Sequence, residues 1–147
     1  MKEYIAWFDQ ISLDDVSRVG GKNASLGEMI SSFSSAGIQV PGGFATTVHA
    51  YRDHLVASGL KDRIEAVLAQ LDVSDVKQLT EVGATIREWL VNAPLTSNLE
   101  DAIEAAYLKL GNSAETPVAV RSSATAEDLP DASFAGQQET FLNVRGI

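Results

Sequence analysis

The chain has 147 residues, of which 45% are hydrophobic and 21% charged, a composition typical of one globular domain with its own core. The formal net charge of −9 argues against general binding to nucleic acids or anionic membranes, because both need clustered positive charge. The absence of cysteine excludes disulfides, thiolate chemistry and cysteine-based zinc sites. Met1–Asp9 is too short and too interrupted by charge to be expected to act as a signal peptide, and no apolar run reaches about 18 residues, so we expect no membrane span. A cytoplasmic location, with which the lack of cysteine is compatible, is also expected.

The first third of the chain is predicted to contain two strands and one helix. Tyr4–Phe8 is aromatic and apolar and predicts a strand, and a helical turn is predicted near Leu13–Val16. A helix pattern begins directly after Gly20–Asn23, and Gly37 is expected to end it. Phe44–Thr46 predicts a second short strand. The expected apolar face of the helix consists of Leu26, Met29, Ile30 and Phe33.

The next helix is predicted between a threonine cap and a terminating glycine. Thr46 or Thr47 can cap it, and Gly59 can stop it. Its expected apolar face consists of Val48, Tyr51 and Leu55. His49 and His54 are five residues apart and do not share a helix face, so we interpret them as surface or edge residues rather than metal ligands.

Three further amphipathic helices are predicted, and we interpret all of them as structural. The first covers Leu60–Leu71. Asp72–Asp75 then ends this helix and caps the second one. The second helix, which starts at Val76, ends before Pro94. Ser97–Glu100 has the spacing of a capping box for the third.

The C-terminal stretch places a cation and two hydroxyls between a strand and a loop. Val118–Val120 predicts a buried strand, Arg121–Ser123 follows at once, and a strand pattern resumes at Thr140–Val144. An arginine fork with nearby hydroxyls can hold a phosphate through charge-assisted hydrogen bonds. Grouped helices with few strands predict an α+β fold, helix-rich with a small sheet.

Gly20-Gly21-Lys22 is a second candidate for anion binding. Two glycines let the backbone approach a ligand closely, the following helix points its N-terminal N–H groups outward, and Lys22 adds a positive charge. The spacing of a P-loop is absent. Two interpretations of these two motifs stay open. Either Gly20-Gly21-Lys22 is a turn with an exposed lysine and Arg121 is separately solvated, or the two motifs are the halves of one phosphate clamp.

Three segments carry a resemblance to a known family: Val19–Met29, Val40–Thr47 and Val120–Val144. Together they resemble the start of the phosphoenolpyruvate synthase (pyruvate, water dikinase) group within the pyruvate phosphate dikinase N-terminal family. The first two segments are shared more widely, including with rifampicin phosphotransferases. The long third segment favours the synthase group.

The resemblance implies that residues 1–147 are the N-terminal portion of an ATP-grasp-like nucleotide-binding domain. Lys22 and Arg121 would contact the ATP phosphates, and the loop around Ser133–Gln138 would cover them. The residues expected to bind ATP are Lys22, Arg121, Ser122, Ser123 and Gly136. The loop acids Glu127, Asp128 and Asp131 are interpreted as solvated or turn-forming rather than as Mg²⁺ ligands.

The resemblance also implies an activity that needs a longer polypeptide. Enzymes of this group convert ATP, pyruvate and water to AMP, phosphoenolpyruvate and phosphate with Mg²⁺, through a phosphohistidine on a separate domain. We expect this chain to be a fragment of such an enzyme and to be inactive by itself. The complete enzyme is expected to be a homo-oligomer. The phosphohistidine domain, the pyruvate-binding barrel and the Mg²⁺ ligands are expected beyond Ile147. The alternatives are the ATP module of a small-molecule, rifampicin-type phosphotransferase, or a stand-alone nucleotide-binding module without catalysis.

Overall fold

The computed structural model describes residues 3–33, 37–111, 113, 115–126, 128–129, 132–133 and 139–146. Two short 3₁₀ helices, Phe8–Gln10 and Leu13–Asp15, lie near the N-terminus. The helices and strands in chain order are β1 (Ile5–Trp7), α1 (Val16–Val19), α2 (Gly21–Phe33), β2 (Phe44–Thr46), α3 (Val48–Ala57), α4 (Leu60–Leu68), α5 (Val76–Asn92), α6 (Ser97–Gly111), β3 (Val118–Arg121), β4 (Asp128–Leu129), β5 (Ala132–Ser133) and β6 (Thr140–Val144). This helix-rich arrangement with small sheets confirms the predicted α+β class.

The described strands pair into three separate two-stranded antiparallel sheets. β1 pairs with β2, with Ala6 opposite Ala45. β3 pairs with β6, and the register is irregular between Val118 and Val120. β4 and β5 form a short hairpin in a segment that the sequence analysis treated as loop. No helix in the described part of the chain combines the length and the apolar character needed to cross a bilayer.

The described chain divides into two compact units, and the first comprises Met1–Ala50 and Asp101–Ile147. Phe8 and Val16 pack against its core. The buried core residues are Ala6, Ile11, Val19, Ala24 and Ala45. Because most of them are small, the backbones of α2 and of the preceding segment can approach closely.

Helix α2 packs through its small residues, which corrects the predicted apolar face. Ala24 and Gly27 are buried, whereas Phe33 is exposed. A Cβ on Gly27 would overlap the Ile11 carbonyl oxygen and would lie 2.9 Å from the Ile11 carbonyl carbon. The glycine therefore fixes which face of the helix meets the core, and Leu26, Met29 and Ile30 are only partly buried.

Helix α3 is rotated by about one residue, or roughly 100°, from its predicted orientation. Ala50 and His54, four residues apart, are buried, whereas Tyr51 is 51% exposed. The interpretation of His54 as a surface residue is therefore wrong, since only 7% of it is accessible.

Thr47 caps α3, and it is one of the two residues, Thr46 and Thr47, that were predicted as possible caps. Its Oγ1 accepts a hydrogen bond from the Ala50 N–H at 3.2 Å and donates one to the Glu3 carbonyl at 2.8 Å. Because Thr47 is buried, water does not replace either bond when the hydroxyl is removed.

We expect Thr47→Ala to lower the free energy of unfolding by about 1 to 2 kcal/mol, as measured by urea denaturation. Thr47→Ser keeps the hydroxyl and should recover more than half of this loss. Equal losses for the alanine and serine variants would show that the methyl group, and not the cap, is responsible.

The second unit comprises Tyr51–Glu100 and contains α4 and α5. The Arg63 guanidinium lies 4.1 Å from the centroid of the Trp89 ring, which is a cation–π contact between these two helices. An open groove of about 600 Å³ has Arg63, Trp89 and Pro94 among its lining residues. None of the sequence-predicted site residues lines this groove.

The starts of α5 and α6 were predicted with different success. The Asp75 carboxylate accepts hydrogen bonds from the Lys77 and Gln78 N–H groups at 3.0 and 3.1 Å, which confirms the predicted cap of α5. Helix α6 begins at Ser97 itself, and the Leu99 N–H donates to the Thr96 carbonyl. Ser97 is therefore a helical residue rather than the predicted cap.

Candidate functional site

The structure brings the Gly20–Asn23 segment and the residues after Arg121 together, although about 100 residues separate them in sequence. The Gly21 N–H donates to the Ala124 carbonyl at 3.0 Å. The Asn23 N–H donates to Ser123 Oγ at 3.4 Å. The backbone on both sides of Lys22 is therefore held by residues that closely follow Arg121.

Gly20 permits this close approach. Its φ of 82° and ψ of 161° lie in a region that only glycine adopts readily. A Cβ on Gly20 would overlap Ser123 Oγ and would lie 2.9 Å from the Ser123 carbonyl carbon and 3.0 Å from the Ala124 nitrogen. Both the backbone conformation and the available space therefore require glycine here.

The Ser123 hydroxyl is occupied within the protein. It donates to the Val19 carbonyl at 3.1 Å, and the same carbonyl accepts from Asn23 Nδ2 at 2.8 Å. A carbonyl at the end of a helix such as α1 lacks an intrahelical partner, and these two donors satisfy it. Because a hydroxyl has a single proton to donate, the expected hydrogen bond from Ser123 to a phosphate oxygen conflicts with this arrangement.

Lys22 lies in the first turn of α2, which begins at Gly21 rather than after Asn23 as predicted. The N–H groups of Gly21 and Asn23 donate to protein oxygens. This corrects the expectation that the N–H groups at the helix start point outward to a ligand. Lys22 is half-buried and adds a positive charge at this helix start.

Arg121 is the last residue of β3 and lies opposite Thr140, the first residue of β6. It is exposed, as is Ser122, whose N–H donates to the Glu139 carbonyl at 3.4 Å. Arg121 and Ser122 thus lie at the end of the two-stranded sheet where the pairing stops. A guanidinium at this place is accessible to a ligand and has five donors in a planar fork.

Tyr107 fixes the other end of the same sheet to helix α6. Its hydroxyl donates to the Thr116 carbonyl at 2.6 Å and accepts from the Gly146 N–H at 3.2 Å. Tyr107 is buried, and a buried tyrosine hydroxyl needs such partners. The sequence signal for this contact is the tyrosine hydroxyl itself, because a buried tyrosine needs a hydrogen-bond partner.

Part of the predicted site falls outside the described residues. This applies to Gly136 and to most of the predicted covering loop, as well as to Glu127 and Asp131. In the portion that the structure describes, no three His, Asp or Glu side chains are grouped so that they could hold a metal ion.

Comparison with known proteins agrees with the resemblance of the motifs. The model of the family described as pyruvate phosphate dikinase, AMP/ATP-binding domain, matches residues 16–147, which include Lys22 and Arg121. The chain is 58% identical to a phosphoenolpyruvate synthase of Neisseria meningitidis over 98% of its length, and 59% identical to one of Pseudomonas aeruginosa over 100%. A probable phosphoenolpyruvate synthase of Staphylothermus marinus is 49% identical over 99% of the chain.

The chain spans about one fifth of the length of these relatives, namely 18%, 19% and 18% of the three proteins in that order. The family match, in contrast, covers most of the chain and both of the segments that meet at Gly20 and Ser123. The chain therefore belongs to the family of the pyruvate phosphate dikinase AMP/ATP-binding domain.

Proposed function

We propose that this chain is the ATP-binding portion of a phosphoenolpyruvate synthase, which converts ATP, pyruvate and water to AMP, phosphoenolpyruvate and phosphate. The observation that carries the proposal is the hydrogen-bonded junction between the start of α2, with Lys22, and the segment directly after Arg121. It joins two cation-bearing motifs in a chain of an AMP/ATP-binding family.

In this proposal Lys22 and Arg121 neutralise the charge of the ATP phosphates. Phosphoryl transfer demands little of a protein beyond positioning and charge stabilisation, so two well-placed cations are appropriate ligands. Lys22 acts as a point charge and Arg121 as a planar fork. Ser122 and Gly136 are secondary ligands. Local cations matter here because the chain as a whole has a net charge of −9, which repels a polyanion.

Mg²⁺, which would screen the phosphate charge, is proposed to accompany ATP. No group of acidic side chains in the described residues is arranged to hold a metal. In keeping with the resemblance, its ligands, the phosphohistidine domain and the pyruvate-binding barrel are proposed to lie in a longer polypeptide that includes this chain. The complete protein is proposed to be a cytoplasmic homo-oligomer, and residues 1–147 to be the first portion of its ATP-grasp-like domain.

Exposed apolar side chains on both faces of the β3–β6 sheet support the presence of further polypeptide. Val120, Phe141 and Leu142 are 48%, 56% and 71% exposed. An isolated two-stranded sheet is at best marginally stable in water, so apolar side chains on it are expected to be covered in the complete protein.

The experiment is to assay the complete polypeptide that the gene encodes. With ATP, Mg²⁺ and pyruvate we expect phosphoenolpyruvate, AMP and phosphate in equal amounts, and with ATP and Mg²⁺ but no pyruvate we expect a phosphorylated protein. Calorimetry should show that adenosine binds at least about 100-fold more weakly than ATP, because the phosphates make the charge-assisted contacts. Equal affinity for ATP and adenosine would contradict a phosphate clamp.

The same assay distinguishes the two alternatives. A small-molecule phosphotransferase would consume ATP when given an antibiotic acceptor such as rifampicin and would form no phosphoenolpyruvate. A nucleotide-binding module without catalysis would bind ATP without consuming it. The names of the relatives favour the synthase over both.

A further inference from the structure

We propose that Ser123 is a positioning residue, which fixes the start of α2, and with it Lys22, against the segment that follows Arg121. The effect on ATP rests on the proposed function, whereas the junction itself rests on the observed hydrogen bonds. This assigns Ser123 a role through Lys22 rather than through direct contact with a phosphate.

The hydrogen bonds form a closed ring through three residues. The Ser123 hydroxyl donates to the Val19 carbonyl, the Asn23 side chain donates to the same carbonyl, and the Asn23 N–H donates back to Ser123 Oγ. Asn23 is buried, so water competes poorly for these groups. Loss of one hydroxyl therefore leaves a carbonyl with one donor fewer and an N–H without its acceptor.

The ring spans a pair of glycines. Gly20 and Gly21 lie between Val19 and Lys22, and glycine has more conformational freedom than any other residue. Ser123 Oγ occupies the space beside the Gly20 Cα that a side chain would otherwise fill. Without that oxygen, the glycines lose both a hydrogen-bonded anchor and a steric neighbour.

Lys22 follows these two glycines directly, so its direction depends on how they are held. A displacement of about 1 Å in a positioning group can reduce a reaction rate by about 100-fold, because the reacting geometry is lost. Ser123 thus couples the position of the Lys22 ammonium group to the strand that carries Arg121.

The test is Ser123→Ala in the complete polypeptide, with Ser31→Ala as the matched control. Ser31 also donates its hydroxyl to a backbone carbonyl, that of Glu28 at 3.0 Å, but this bond lies within α2 and joins no separate segments. Amide hydrogen exchange of Gly21 and Asn23 is measured without nucleotide, and the affinity for ATP with Mg²⁺ is measured by calorimetry well below the unfolding temperature.

We expect Ser123→Ala to accelerate amide exchange at Asn23 and Gly21 by about tenfold and to weaken ATP binding by about tenfold. Ser31→Ala should change neither quantity by more than about twofold. The exchange measurement does not involve ATP, so it tests the junction even if the protein binds no nucleotide and the proposed function fails.

Two results would overturn the proposal. If Ser123→Ala weakens ATP binding while exchange at Gly21 and Asn23 without nucleotide stays unchanged, Ser123 acts as a direct ligand. If exchange accelerates while a protein that binds ATP through Lys22 keeps its full affinity, the junction is structural and does not position Lys22.

Discussion

Replacing either Lys22 or Arg121 with alanine is expected to weaken ATP binding by about 100-fold and to slow phosphorylation of the protein by at least as much. A charge-assisted hydrogen bond contributes about 1.5 to 3 kcal/mol, and tenfold in affinity corresponds to about 1.4 kcal/mol. The effect on phosphorylation should be the larger one if the cations stabilise charge that develops in the transition state. Calorimetry and transfer of radiolabelled phosphate from ATP measure the two quantities.

A conservative substitution separates charge from shape. Arg121→Lys keeps the positive charge but loses the planar fork, so it should retain only part of the affinity, whereas a purely electrostatic role predicts nearly full retention. Lys77→Ala is the control for loss of one charge: the Lys77 side chain is 86% exposed and pairs with Glu81 at 3.9 Å in α5. Unchanged phosphorylation in Lys22→Ala would remove Lys22 from the proposed site.

The elements around the site could largely be predicted because local signals determine them. Alternating apolar residues, glycines and caps predicted the positions of β1, β2, β3 and β6 and the four helices that follow β2. The cations at Lys22 and Arg121 could be singled out in the same way, since each lies beside an element end with small neighbours. These features depend on residues within a few positions of each other.

The packing faces could not be predicted, because they depend on contacts between segments distant in sequence. The predicted face of α2 followed its bulky residues, but Gly27 allows the backbone near Ile11 to come close, and this contact selects the small-residue face. In α3, Ala50 and His54 are buried, so the buried face likewise lies one residue away from the predicted face. Hydrophobic periodicity alone does not contain this information.

The role of Ser123 at the site could not be predicted either, because it also depends on a contact between distant segments. An Arg-Ser-Ser sequence suggests that all three side chains face one ligand, and no local feature distinguishes the two serines. The distinction arises because Val19, 104 residues away, presents a carbonyl that needs a donor. The sequence thus indicated the cations of the site, whereas the polar contacts that hold them together appear only in the folded chain.

Gly20→Ala is expected to lower the free energy of unfolding by about 2 to 6 kcal/mol, a large fraction of the total for a domain of this size. Two costs combine. A residue other than glycine at φ 82° and ψ 161° is strained by about 1 to 3 kcal/mol. A Cβ that overlaps Ser123 Oγ and lies 2.9 Å from the Ser123 carbonyl carbon adds an overpacking cost of about 1 to 3 kcal/mol. Urea denaturation of the complete polypeptide, followed by a probe in the first unit, measures the sum.

Two further variants separate these costs. Gly59 also has a positive φ, 68°, but a Cβ there would meet no atom within 4 Å, so Gly59→Ala should cost only about 1 to 2 kcal/mol of backbone strain. Combining Gly20→Ala with Ser123→Ala removes the overlapping oxygen, so the double variant should be more stable than the sum of the two single losses predicts. Strict additivity would mean that Gly20 and Ser123 are not coupled, and the close contact between the two segments would then not be what requires glycine at this position.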